Sequence, residues 1–166
     1  MTPFTNLQIF RSQRFTENIK MRRLVSVDPG VTTGVSFITY SDHSVQLEQA
    51  FQIQNGRRGF IDFLRGTVLS THLSVDQFVC EDFILRPGVH GANIEPAFVI
   101  GAMEGVLSNQ NIYMQPASQK KLVNDERLKR LEMFSTGWPH ANDATRHGII
   151  YLRNKKHMPT LLKGWD

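Results

Sequence analysis

Between Leu24 and Ile53 the chain carries three β-rich runs in direct succession, ahead of any segment with helical periodicity, and this order constrains the fold most. Leu24-Val25-Ser26-Val27-Asp28 is a β-branched run stopped by Pro29-Gly30, a strand followed by a turn. Residues 33–40 (TGVSFITY) form the second run and residues near 45–53 the third, with the polar Ser41-Asp42-His43-Ser44 suited to a hairpin loop. After the glycines at 56 and 59, Phe60, Phe63, Leu64 and Val68 recur at the spacing of one buried helical face.

Phe78-Val79-Cys80-Glu81 reads as a fourth strand, and a loop with Pro87, Gly88 and Gly91 leads into an apolar helix over 94–109. Ile112 to Met114 reads as a fifth strand before Pro116, and the charged residues 119–133 as a helix. A last element starts after Pro139 and runs through Leu152, followed by a basic tail with Arg153, Lys155, Lys156 and Lys163. This βββαβα-type order packs naturally as an α/β domain, a five-stranded mixed sheet flanked by helices.

At 166 residues the chain fits one domain. The expected division is a basic N-terminal arm over 1–20 and a folded unit over 21–166 that includes the basic tail. Cys80 is the single cysteine, so no internal disulfide can form, and nothing calls for an oxidising compartment. No apolar run approaches the roughly 20 residues needed to span a bilayer. The first residues also lack the apolar core of a signal peptide, so a cytoplasmic protein is expected. A net charge of +4 and a pI near 9.5 favour a polyanionic partner.

Against that basic background the placement of the acids stands out. Asp28 ends one apolar strand, Glu81 ends another, and Asp143 falls in the first turn of a helix that is apolar beyond it. An acid at the end of a buried run is costly unless it is solvated, paired or bound to a cation. Each also has an ordinary reading: a turn acid for Asp28, a solvated strand end for Glu81 or Asp82, a capping residue beside Asn142 for Asp143. Because side chains alternate along a strand, only one of Glu81 and Asp82 can share a face with Val79, and that one is Glu81. Convergent carboxylates suit hard ions such as Mg²⁺, and two such ions about 4 Å apart can drive phosphodiester hydrolysis.

Taken together the motifs resemble a known family. "VSVDPGVTTGVSFI" (Val25 to Ile38) is similar to the first strand and hairpin of RuvC-type Holliday-junction resolvases, where an Asp-Pro-Gly followed by Thr-Gly carries the first metal ligand. "VCEDF" resembles the strand that supplies the family's catalytic Glu. Tyr113-Met114-Gln115-Pro116 with Lys120 and Lys121 is similar to its fifth strand and following Pro-x-x-x-Lys segment. "HANDATRHGIIYL" resembles its final motif, in which a His or Asp precedes the last catalytic Asp by three residues, as His140 precedes Asp143. The likeness covers about residues 22 to 154, and it departs from the family at both ends and at Asn124 to Lys129, where a glycine-rich DNA loop is usual.

This resemblance implies an RNase H-like fold and a structure-selective endodeoxyribonuclease acting on Holliday junctions and other branched DNA, of bacteriophage type. It implies Asp28, Glu81, His140 and Asp143 as catalytic and metal-binding residues, with two Mg²⁺ ions for which Mn²⁺ can substitute. Basic residues near that site, Arg86, Lys120, Lys121 and Arg146, are the expected DNA contacts, and His147 a candidate support for Asp143 one turn earlier. Symmetric cutting of two strands implies a homodimer, with the apolar helix bearing Phe98, Gly101 and Gly105 as its seam. Two other readings stay open: an RNase H-like nuclease acting on RNA:DNA hybrid or structured RNA, and a non-catalytic nucleic-acid-binding protein. In a phage setting the address is the host cytoplasm.

Overall fold

The computed structural model describes residues 19–70, 73–85 and 91–165. The expected arm lies almost wholly outside these residues, as does Arg86. Five strands form one sheet: β1 (Arg22–Asp28), β2 (Thr33–Ser41), β3 (Ser44–Ile53), β4 (Gln77–Asp82) and β5 (Ile112–Pro116). Their order is β3-β2-β1-β4-β5. The β1–β2 and β2–β3 pairs are antiparallel, whereas β1–β4 and β4–β5 are parallel. The mixed sheet expected from the strand-rich start of the chain is the one observed.

Alternation along the strands sends side chains into two separate cores. On one face Val25, Val27, Phe78 and Cys80 pack beneath α1 (Gly56–Phe63) and α2 (Glu95–Val106). On the other, Leu24, Ile38 and Val79 pack against Ile149, Ile150 and Leu152 of α4 (Pro139–Asn154). Pro139 starts α4, where its missing N–H costs nothing and its fixed φ suits the helix. Gly148 lets α4 lie directly on the sheet. A Cβ there would come within 2.6 Å of Ile38 Cδ1 and 2.8 Å of Ser26 Oγ. Asp143 is the fifth residue of α4, just past the first turn in which the sequence suggests it.

Two stretches differ from expectation. The helix expected over 119–133 is broken into a 3₁₀ turn (Ala117–Leu122) and α3 (Asp125–Arg130). Val123 is extended and buried between them, and the Asn124 side chain accepts a hydrogen bond from the Arg127 amide as the cap of α3. The residues expected to trail off as a basic tail contain α5 (Met158–Trp165), which packs Gly164 against Leu131. His157 anchors its start, with Nε2 2.6 Å from the Ser41 carbonyl and Nδ1 2.7 Å from Thr160 Oγ1. Among the described residues no helix is long and apolar enough to cross a membrane.

Candidate active site

The parallel half of the sheet puts the acids in a row. Val27 pairs with Cys80 across β1 and β4, so Asp28 and Glu81 occupy the next position on neighbouring strands. Glu81 in turn pairs with Gln115 on β5. All three lie at the carboxyl ends of parallel strands, where open α/β sheets place their ligands. Asp28, two and four residues on from Ser26 and Leu24, and Glu81, two on from Val79, point to the α4 face. The choice of Glu81 over Asp82 thus matches the fold.

From above, α4 supplies the rest. His140, Asp143 and His147 are spaced i, i+3 and i+7, which puts them on one stripe of the helix. His140 Nδ1 is 3.3 Å from Asp28 Oδ2, and its main-chain N–H donates to Gln52 Oε1 at 2.9 Å. His147, fully buried, does not support Asp143 as the sequence suggested. Its Nε2 lies 2.7 Å from Glu81 Oε2, and its Nδ1 2.5 Å from Gln115 Oε1. The Gln115 amide nitrogen is buried without a partner. A proton between Nε2 and the Glu81 carboxylate is required at that separation. Either the ring also donates from Nδ1 to Gln115, or the Gln115 amide is turned to donate to Nδ1, its oxygen then being the unpaired atom.

Lys120, on the 3₁₀ turn after β5, reaches back into the centre of the acids. Its Nζ is 3.1 Å from Glu81 Oε2, 3.1 Å from Asp143 Oδ2 and 3.6 Å from Asp28 Oδ1. Arg146 binds the other Asp143 oxygen and also Asp125, and it donates from Nε to the Val123 carbonyl at 2.8 Å. Both cations were expected at DNA phosphates; in this structure both are engaged by carboxylates. Lys121 is exposed beside them.

Electrostatics follow from this packing. Burial pushes the Asp28 carboxyl up to about 6, with the Glu81 and Asp143 charges adding to the effect and Lys120 and His140 opposing it. Burial alone would also raise Glu81, but hydrogen bonds and charge from His147 and Lys120 override it and hold Glu81 at about 2. Burial disfavours the Lys120 ammonium, yet the three carboxylates around it outweigh that cost and raise its pKa above the usual lysine value. Oxygen and ring-nitrogen atoms of Asp28, Glu81 and His147 lie within 4.8 Å of one another, and with both His147 nitrogens engaged by Glu81 and Gln115 the two carboxylates are the groups that suit a hard divalent cation.

Sheet order, strand directions and flanking helices are those of an RNase H-like fold. Thermus thermophilus RuvC, solved in complex with a Holliday junction substrate, superposes with a TM-score of 0.60 at 12% identity, covering 83% of this chain and 97% of that one. A second T. thermophilus RuvC structure gives 0.58 at 13% identity, over 81% and 97%. The fowlpox virus Holliday junction resolvase gives 0.55 at 13% identity, over 80% and 99%. No protein-family model matches the chain, and no curated protein matches it by sequence.

Proposed function

We propose that this chain is a divalent-metal-dependent endonuclease that cuts phosphodiester bonds in branched DNA, Holliday junctions above all. The observation that carries this reading is the meeting of Asp28, Glu81 and Asp143, from three elements distant in sequence, around a single point marked by Lys120 Nζ. Resolvases of the same fold supply the substrate class, and the basic balance of the chain fits DNA. Asp28 and Glu81 hold the ion, Mg²⁺ with Mn²⁺ as substitute, and Asp143 and His140 flank it. Such an ion, when bound, supplies Lewis-acid activation of water and neutralises charge at the scissile phosphate.

The protein's own part is orientation. His147, itself held by Gln115, fixes the Glu81 carboxylate through Oε2, the oxygen that also meets Lys120. His140, half-exposed on the outer side of Asp28, is placed to orient the attacking water. Lys121 meets phosphate beside the site. Paired cutting of a four-way junction calls for a two-fold dimer. The α2 face bearing Phe98, Gly101 and Gly105 is exposed and suits that seam, whereas Val99 and Met103 of the same helix are buried against the sheet.

The test is cleavage of a labelled four-way junction and of an RNA:DNA hybrid, each with Mg²⁺ and with EDTA. Mg²⁺-dependent cutting of the junction, lost in Asp28→Asn and Asp143→Asn, is expected. Preference for the hybrid would replace the junction reading, and normal cutting by both variants would remove the site assignment.

A further inference from the structure

Lys120 is half-buried, and its ammonium is turned inward onto carboxylates rather than held out toward a phosphate. Its ammonium touches all three carboxylates at once, at 3.1, 3.1 and 3.6 Å. That is the position a cation shared among them takes. Arg146 serves only the far oxygen of Asp143, and its charge is already matched by Asp125. Three carboxylates against one ammonium leave two negative charges, the charge of one divalent ion. The cluster whose candidate ligand atoms lie within 4.8 Å of one another comprises Asp28, Glu81 and His147, without Asp143. Asp143 is instead occupied on one oxygen by Lys120 and on the other by Arg146.

We propose that Lys120 is the resident second cation of this site, so that the site takes one divalent ion, at Asp28 and Glu81, where an acid cluster of this kind is otherwise expected to take two. This rests on the nuclease reading above and revises the two-ion expectation that the family resemblance carries. A further ion bridging Asp28 and Asp143 would have to displace Lys120 or Arg146 from Asp143, whose two oxygens they hold. Displacing Lys120 requires it to leave all of its partners together. Asp143 then acts mainly as the anchor that holds the ammonium over the other two acids.

Mn²⁺ binding to the full chain tests this, by calorimetric stoichiometry and by electron paramagnetic resonance, alone and with a phosphorothioate-protected four-way junction. Wild type is expected to take one Mn²⁺ per chain at a site that Asp28→Asn removes, with no spin-coupled pair. Lys120→Met is expected to take two, with the coupled-pair spectrum, and Lys120→Arg to stay at one. A coupled pair in the wild type overturns the proposal and leaves the nuclease reading intact. Lys120→Met remaining at one ion also overturns it. Absence of any Asp28-dependent Mn²⁺ site sinks the nuclease reading itself. Should Lys120→Met not fold, the wild-type stoichiometry still decides.

Discussion

Gly34 is the residue at which a single methyl group would test the geometry of the whole site. It pairs with Asp28 in the β1–β2 ladder and lies against the first turn of α4. A Cβ at this position would sit 1.9 Å from the His140 carbonyl oxygen, 2.3 Å from its carbon and 3.0 Å from the Ala141 nitrogen. These are backbone atoms, so no rotamer change relieves the clash. Restoring a normal contact of about 3.5 Å requires α4 to retreat by about 1.5 Å. The retreat carries His140 and Asp143 away from Asp28 and Glu81. A misplacement of about 1 Å can cost around 100-fold in rate, and overpacking of this kind costs about 1–3 kcal/mol of stability. Gly34→Ala should therefore cut a four-way junction roughly 100-fold more slowly in single-turnover assays at saturating Mg²⁺, and melt several degrees lower. Gly66→Ala, at an exposed helical position with nothing within 4 Å of the added carbon, should keep its rate and melt at or slightly above the parent. If Gly34→Ala melts and cuts like the parent, the close seating of α4 on β2 does not set the site, and the reasoning fails.

Other expectations follow from the same geometry. Because burial raises the Asp28 carboxyl to about 6, its ionised form is disfavoured in the fold, so metal-free stability falls as pH rises from 3.8 through about 6. Asp28→Asn should then melt in EDTA at pH 7.5 no lower than the parent while failing to cut; a large loss of melting temperature would contradict this. For the same reason divalent-ion affinity should drop steeply below about pH 6, by up to tenfold per unit, and a flat calorimetric profile down to pH 5 would rule it out. His147→Ala leaves Gln115 Oε1 buried without its partner and frees Glu81, at a cost of about 1–3 kcal/mol and of metal affinity. Parental affinity in that variant would refute the orienting role of His147. Truncation after Lys156 removes His157 and α5 from Ser41 and Leu131, and cooperative melting should shift down by several degrees if the tail is structural.

The acid row was legible because β1 and β4 are short, apolar and each closed by a carboxylate, and because strand alternation chooses between Glu81 and Asp82. His140 and Asp143 were legible as a helix-start pair after Pro139. Lys120 was assigned to DNA instead, since nothing in the spacing shows that the turn after β5 folds its side chain inward; that depends on the break at Val123 and Asn124. His147 was assigned to Asp143 from helical spacing alone, but the stripe of α4 points down to β4, so Glu81 is the residue beneath it. Gln115 gave one readable sign, a polar side chain in the otherwise apolar run Ile112-Tyr113-Met114. The segment expected as a tail also carries a helical period, Met158, Leu161, Leu162 and Trp165 at i, i+3, i+4 and i+7, but the face that α5 buries is that of Thr160 and Gly164, with Met158 and Leu162 exposed.

The division of the sheet into two cores gives the molecule a working side and a supporting side. Asp28, Glu81 and Asp143, with Lys120, His140 and His147, gather on the α4 side of the sheet, while α1 belongs wholly to the opposite layer. Mutational drift, a fluorescent label or a tether placed on the outward surface of α1, at Asp62 for example, is thus insulated from the chemistry by the full thickness of the sheet. Such a handle offers a way to follow DNA engagement in a protein whose cutting machinery is left untouched.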